Sequence, residues 1–206
     1  MTLPSQVGGI DVSRETLDRL YAYEALIRKW TRQINLVSPA TLQDLWQRHI
    51  VDSAQLFALR PNEGARWADI GSGAGLPGIV LAILAKEHAQ DVHVTLVESD
   101  QRKSVFLRTA IRELALDATV FAERIEAVAP MNADLLTARA LSPLTQLLVH
   151  AERHLSPRGV ALFPKGRAAA QEIAAAEANW RFRLEEYPSM TEADSRILRL
   201  TGLTRG

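Results

Sequence analysis

The chain has 206 residues, 47% of them apolar and 23% charged, which suits one domain with a substantial core and excludes a disordered or fibrous protein. Lysine plus arginine and aspartate plus glutamate number 24 each, so any nucleic-acid partner must be held by a local basic patch, not by a global field. There is no cysteine, which removes disulfides, cysteine-ligated zinc and thiolate nucleophiles; no metal site is expected. No apolar run reaches the roughly 18 residues of a membrane span, and Met1 to Ile10 lacks a signal pattern, so a cytoplasmic protein is expected; balanced charge and a complete core point to a monomer.

In chain order, residues 1–10 read as a loosely held arm. Ser13 or Asp11 can cap a first helix carrying Leu17, Leu20, Tyr21, Tyr23, Leu26, Ile27 and Trp30 at helical spacing. Asn35 to Pro39 breaks it, and Thr41 to Leu59 reads as a second helix, so residues 1–60 form a helical extension ahead of a core of residues 61–206. In the core, strand and helix patterns alternate. Strands are expected at 65–70, 92–97, 118–122, 134–138 and 159–163. Helices are expected at 79–87, 99–116, from Ile125 to Pro130, at 143–155 and at 168–178. Residues 181–187 and 195–201 complete seven strands as a final antiparallel pair. This is an α/β fold whose mostly parallel sheet places a ligand at the carboxyl ends of its strands.

Between the first core strand and its helix lies Ala68-Asp-Ile-Gly-Ser-Gly-Ala-Gly-Leu-Pro-Gly-Ile-Val80. Glycines at alternate positions let a ligand approach the main chain, and the helix behind them offers free N–H groups and a positive dipole end. The dinucleotide fingerprint is present as Gly73-x-Gly75-x-x-Gly78, and Glu98 follows about 20 residues later. A small nicotinamide-dependent oxidoreductase is therefore one reading. Three features favour S-adenosylmethionine. Asp69 opens an Asp-x-Gly-x-Gly-x-Gly pattern with Gly71, Gly73 and Gly75. Pro77 deletes an N–H inside the dinucleotide match. The chain also leaves no room for a separate substrate domain.

Beyond this loop stand Asn35-Leu-Val-Ser38, Arg48-His-Ile-Val-Asp-Ser53, Gly-Leu-Pro-Gly at 75–78, Arg124-Ile-Glu126, Arg139-Ala140 and Lys165-Gly166. On these residues the chain resembles the small-subunit ribosomal RNA methyltransferases once called the glucose-inhibited division protein B family. The resemblance implies a Class I, Rossmann-like methyltransferase that moves the methyl group of S-adenosylmethionine to N7 of a guanine in 16S rRNA. It also implies that Gly71, Leu76, Ile125, Glu126 and Arg139 lie at the cofactor.

The residues themselves allow such chemistry. Glu98 at a strand end can accept both ribose hydroxyls, and Ile125 and Glu126 follow the third core strand, where adenine needs an apolar contact and a backbone donor. The fourth core strand lacks the Asn/Asp-Pro-Pro-aromatic run expected of exocyclic amine methylation, and covalent pyrimidine methylation needs a cysteine. Guanine N7 has a free lone pair and no proton to lose, so positioning and desolvation suffice. Arg139 either orients the methionine carboxylate or the guanine edge, or pairs with Asp134 or Glu126. Arg48, His49, Arg124, Lys165 and Arg167 are the candidate RNA contacts, with Arg102 and Lys103 weaker ones, although Arg48 and Asp52 can equally pair across a helical turn and His49, read alone, suits a surface or packing position better than a catalytic one. A non-catalytic, cofactor-sensing RNA-binding module is the other class left open.

Overall fold

The structure is a computed structural model that describes residues 5–206. Its central sheet has seven strands: β3 (Arg66–Ile70), β4 (His93–Val97), β5 (Ala118–Phe121), β6 (Ala133–Thr137), β7 (Leu155–Lys165), β8 (Trp180–Pro188) and β9 (Arg196–Arg205). Their order is β5-β4-β3-β6-β7-β9-β8. The first five run parallel, and β9 pairs antiparallel with both β7 and β8, as the sequence pattern implies. The order reverses at β3, so the crevice at its carboxyl end is the natural ligand position.

Helices cover both faces. The buried side of the chain's first helix, α1 (Arg14–Thr31), shares one apolar cluster with α3 (Gly78–His88) and with Phe106 and Leu107 of α4 (Gln101–Glu113). Ser13 caps α1 by accepting from the Thr16 N–H, and Asp100 caps α4 by accepting from the Arg102 and Lys103 N–H groups. Every residue of α3 from Gly78 to Ala85 is buried, because α1 packs on one side and the sheet on the other. The opposite face carries α5 (Leu144–His154) and α6 (Ala169–Glu177), with Leu144, Leu147, Leu148 and Ala151 of α5 turned into the second cluster.

Three expectations are corrected. Residues 6–11 form a small hairpin, β1 (Gln6–Val7) with β2 (Ile10–Asp11), and bury Val7; the rest of the expected arm, residues 1–4, lies outside the described residues. The expected helix from Thr41 to Leu59 is broken into a 3-10 turn (Pro39–Thr41), a π-helical stretch (Trp46–Val51), a single α turn, α2 (Asp52–Ala54), and a second 3-10 turn (Gln55–Leu59). Apolar periodicity fixes which side faces inward but cannot distinguish three, four or five residues per hydrogen-bonded step. No helix forms after Ile125: residues 124–128 make two overlapping turns, Ala127 N–H to Arg124 C=O and Val128 N–H to Ile125 C=O. Pro130 follows too closely for a helix to propagate beyond its costly first turn.

Candidate cofactor and substrate site

At the carboxyl ends of β3, β4, β5 and β6 lies a cavity of about 710 Å³. Its floor is the glycine loop. The Ser72 N–H donates to the Val97 carbonyl and its hydroxyl to the Asp69 carbonyl, tying the loop to β4 and β3. Tyr23 of α1 donates its buried hydroxyl to the Ala74 carbonyl from beneath, and burial holds that phenol well above its ordinary range. The N-terminal segment thus supports the loop directly, although its tyrosines read as lying outside the core.

The two inner glycines are left-handed for different reasons. Gly73 (φ +56°) meets open space, since a Cβ there would find only the Gly71 carbonyl oxygen at 3.8 Å. At Gly75 (φ +82°) a Cβ would sit 2.5 Å from Ile79 Cγ1 and 2.9 Å from the Tyr23 oxygen. Gly73 therefore leaves a cradle in the cavity wall, whereas Gly75 is needed by packing and does not line the cavity.

Asp69 does not line it either. Its carboxylate is buried under the loop, where Oδ1 accepts from the Thr137 hydroxyl at 2.7 Å and Oδ2 stands beside Gly78 without a hydrogen bond. Burial pushes this carboxyl up to about 6, against the lowering effect of the Thr137 bond. Asp69 thus joins β3 to β6 beneath the site.

Gly71, Gly73, Leu76, Glu98, Ile125, Glu126, Arg139, Arg124 and His49 all line the cavity. Glu98 Oε2 accepts from the Gly73 N–H and Oε1 from the Asp100 N–H, both at 2.8 Å, which fixes the carboxylate and leaves each oxygen a further lone pair. Exposed Glu126 faces Arg124 at 3.4 Å; hydrogen bonding to its own amide lowers its carboxyl. Several lining residues carried no sequence signal, among them Ser99, Ser142, Gln146 and His150. Gln146 and His150 are four apart on the polar side of α5, but nothing in the sequence distinguishes a polar side facing a cavity from one facing water.

A second cavity of about 540 Å³ adjoins the first and shares His49, Arg139, Ala140, Leu141 and Ser142 with it. Here the expected ion pairs are rearranged. Arg139 pairs with Asp52 (3.4 Å), not with Asp134 or Glu126, and also donates to the Arg48 carbonyl. Arg48 pairs with Glu192 instead of Asp52, while Asp52 accepts from Thr191 and Gln55. Lys165 donates to Glu172 at 2.8 Å and to the Ser142 carbonyl, and exposed Arg167 pairs with Asp194. All four lysine and arginine candidates for RNA contact, Arg48, Arg124, Lys165 and Arg167, thus have a carboxylate partner within the fold. Sequence separations of up to 144 residues hid these partners. Lys103, by contrast, lines the first cavity and makes no ion pair among the described residues.

A family model described as rRNA small subunit methyltransferase G matches residues 16–199. The chain is 50% identical over 196 residues to the ribosomal RNA small subunit methyltransferase G of Ruegeria sp. (strain TM1040), covering 95% of each. It is 54% identical over 191 residues to the protein of that name from Rhodospirillum centenum, covering 92% of this chain and 86% of the relative. Among solved structures, M. jannaschii TYW2 in complex with AdoMet matches with a TM-score of 0.56 at 14% identity, covering 85% of this chain and 80% of that one. The ribosomal protein L11 methylase of Lactobacillus delbrueckii subsp. bulgaricus gives 0.58 at 16% identity, covering 77% and 78%. Such low identities carry the fold alone.

Proposed function

The chain belongs to the rRNA small subunit methyltransferase G family, and on that premise we infer that it methylates N7 of a guanine in 16S ribosomal RNA, using S-adenosylmethionine. The observation that carries the reading is the open cradle at Gly73, beside the Glu98 carboxylate that its N–H helps to fix, in the wall of one cavity. The residues present fit this cofactor. Glu98 retains lone pairs for ribose hydroxyls, Ile125 and Leu76 offer apolar surface, and Arg139 offers a guanidinium to the methionine carboxylate. Held by these residues, S-adenosylmethionine would supply a sulfonium methyl, the carbon–sulfur electron pair leaving on sulfur as N7 gives its lone pair and the base takes the positive charge.

No side chain need take a proton in this reaction. The protein's work is alignment and exclusion of water. N7 of a paired guanine lies in the deep, narrow major groove of A-form RNA, so the target is an exposed or everted nucleotide. Lys103, at the cavity wall and without an ion pair among the described residues, suits the phosphate backbone better than the paired Arg124, Lys165 and Arg167. We also infer a cytoplasmic monomer in which residues 1–60 and 61–206 act as one unit, in keeping with balanced charge and with the absence, among the described residues, of a helix long and apolar enough to cross a membrane.

The test is incubation with methyl-labelled cofactor and small ribosomal subunits, or their RNA, from cells lacking this protein, with mapping of the modified nucleotide. Gly73→Asp, which places a carboxylate in the cradle beside Glu98, is the blocked control. Label at one guanine N7, absent from the control, is expected. Bound cofactor with no label in any ribosomal substrate would return the sensing module.

A further inference from the structure

His49 lies at the junction of the two cavities and lines both. Both of its ring nitrogens are buried without a hydrogen-bond partner among the described residues. A buried imidazole left in that state costs about 1–3 kcal/mol per unmet group, so it calls for a partner. A second, independent feature concerns the backbone that carries it. His49 sits within the π-helical stretch Trp46–Val51, an irregularity that is uncommon in helices and concentrates at functional sites. Burial, with Arg139 and Arg48 beside it, holds the imidazole down at about 4, so it is neutral at physiological pH and presents one N–H and one lone pair.

Guanine chemistry says what such a group meets. N7 and O6 are acceptors on the same edge of the base. With the base in the second cavity and N7 facing the first, O6, on the same edge, lies at the junction. We propose that His49 is the residue that positions the target guanine, its ring turning into the junction as the base enters to donate its N–H to O6 and so direct N7 toward the cofactor cavity. This rests on the methyl-transfer reading above and extends it to the second cavity. Charge separates His49 from Arg139, the other nitrogen-bearing side chain at the junction. The base becomes cationic as N7 is alkylated, and a neutral donor holds O6 without repelling that charge. Arg139 is already balanced by Asp52 and suits an anionic group.

The experiment replaces O6 of the target guanine by sulfur, a poorer acceptor, in RNA ligated from fragments, and compares the wild-type protein with His49→Phe. Cofactor affinity by titration calorimetry and thermal unfolding are measured alongside. His49→Phe is expected to bind cofactor within about twofold of wild type while kcat/KM on the oxygen substrate falls roughly 10- to 100-fold, the size of one lost hydrogen bond. Sulfur is expected to slow the wild type about tenfold or more beyond its effect on His49→Phe. Equal sulfur effects in both proteins, or an unchanged kcat/KM in His49→Phe, would overturn the proposal. If His49→Phe does not fold, His49→Ala takes its place in the same cycle. A wild-type protein that methylates no guanine N7 would instead refute the parent reading, so the two failures are distinguishable.

Discussion

Replacing Gly73 and Gly75 separately by alanine should divide the glycine loop into a binding half and a packing half. Both residues are left-handed, at φ +56° and +82°, which costs a non-glycine residue about 1–2 kcal/mol. At Gly75 the new methyl would also stand 2.5 Å from Ile79 Cγ1 and 2.9 Å from both Leu107 Cδ2 and the Tyr23 oxygen, an overpacking worth about 1–3 kcal/mol more. The sum for Gly75→Ala is about 2–5 kcal/mol. For a chain of this size that corresponds to a fall in Tm of roughly 4–20 °C. At Gly73 the nearest atom is 3.8 Å away, so only the backbone cost remains, roughly 2–8 °C. Its methyl, however, fills the cradle. Gly73→Ala should lose cofactor affinity by at least about tenfold, whereas Gly75→Ala should bind normally wherever it is folded. Differential scanning calorimetry and titration calorimetry on the same preparations give both numbers. A Gly73→Ala protein with unchanged cofactor affinity, or a Gly75→Ala protein as stable as the parent, would refute the assignment.

Asp69→Asn tests the buried carboxylate. Its folded value of about 6 stands above the ordinary 3.8, so the stability that goes with the protonated form is present below pH 4 and is lost as pH rises through about 6. At about 1.36 kcal/mol per unit this approaches 3 kcal/mol, an upper limit for what the amide recovers at pH 7.5 while still accepting from Thr137. Denaturant unfolding of both proteins at pH 4.5 and 7.5 should show their difference growing with pH, and a constant difference would count against it. Lys103→Gln should lower the salt dependence of RNA binding by about one in log–log slope. Lys165→Gln should leave that slope unchanged and lower Tm, because it strips Glu172 of its cation; the opposite pattern in filter binding would reverse their roles.

The fold was legible because its signals are local. Seven apolar strand patterns, the Ser13 cap and the glycine loop each lie within a few residues of what they determine. What the sequence hid depends on long-range pairing or on backbone detail. Arg48 and Asp52 stand four apart and read as partners, yet the chain brings Glu192 to one and Arg139 to the other. Lys165 follows a strand end as an RNA contact would, but seven residues later Glu172 turns back from α6 to hold it. Apolar spacing from Leu42 to Phe57 is the same for an α-helix as for the π and 3-10 segments that form, so the irregular stretch that aims His49 left no trace in periodicity. Asp69 was readable as part of the cofactor pattern and not as buried, since a strand-end carboxylate can turn toward a ligand or under the loop.

The N-terminal segment is best understood as part of the core on which the site stands. Leu17, Leu20, Ile27, Leu56 and Phe57 are all buried in the cluster that includes α3. At about 1.5–3 kcal/mol each they contribute on the order of 10 kcal/mol, comparable with the whole stability of an ordinary domain. Removing residues 1–60 would also bare one side of α3, and would take away both Tyr23, which holds the Ala74 carbonyl, and His49 at the cavity junction. A chain beginning at Pro61 should therefore not fold cooperatively: it should bind a hydrophobic dye, lose near-ultraviolet circular dichroism and bind no cofactor. If it instead melted cooperatively and bound cofactor like the full chain, the loop would not depend on α1, and the segment would be an appendage that only delivers RNA.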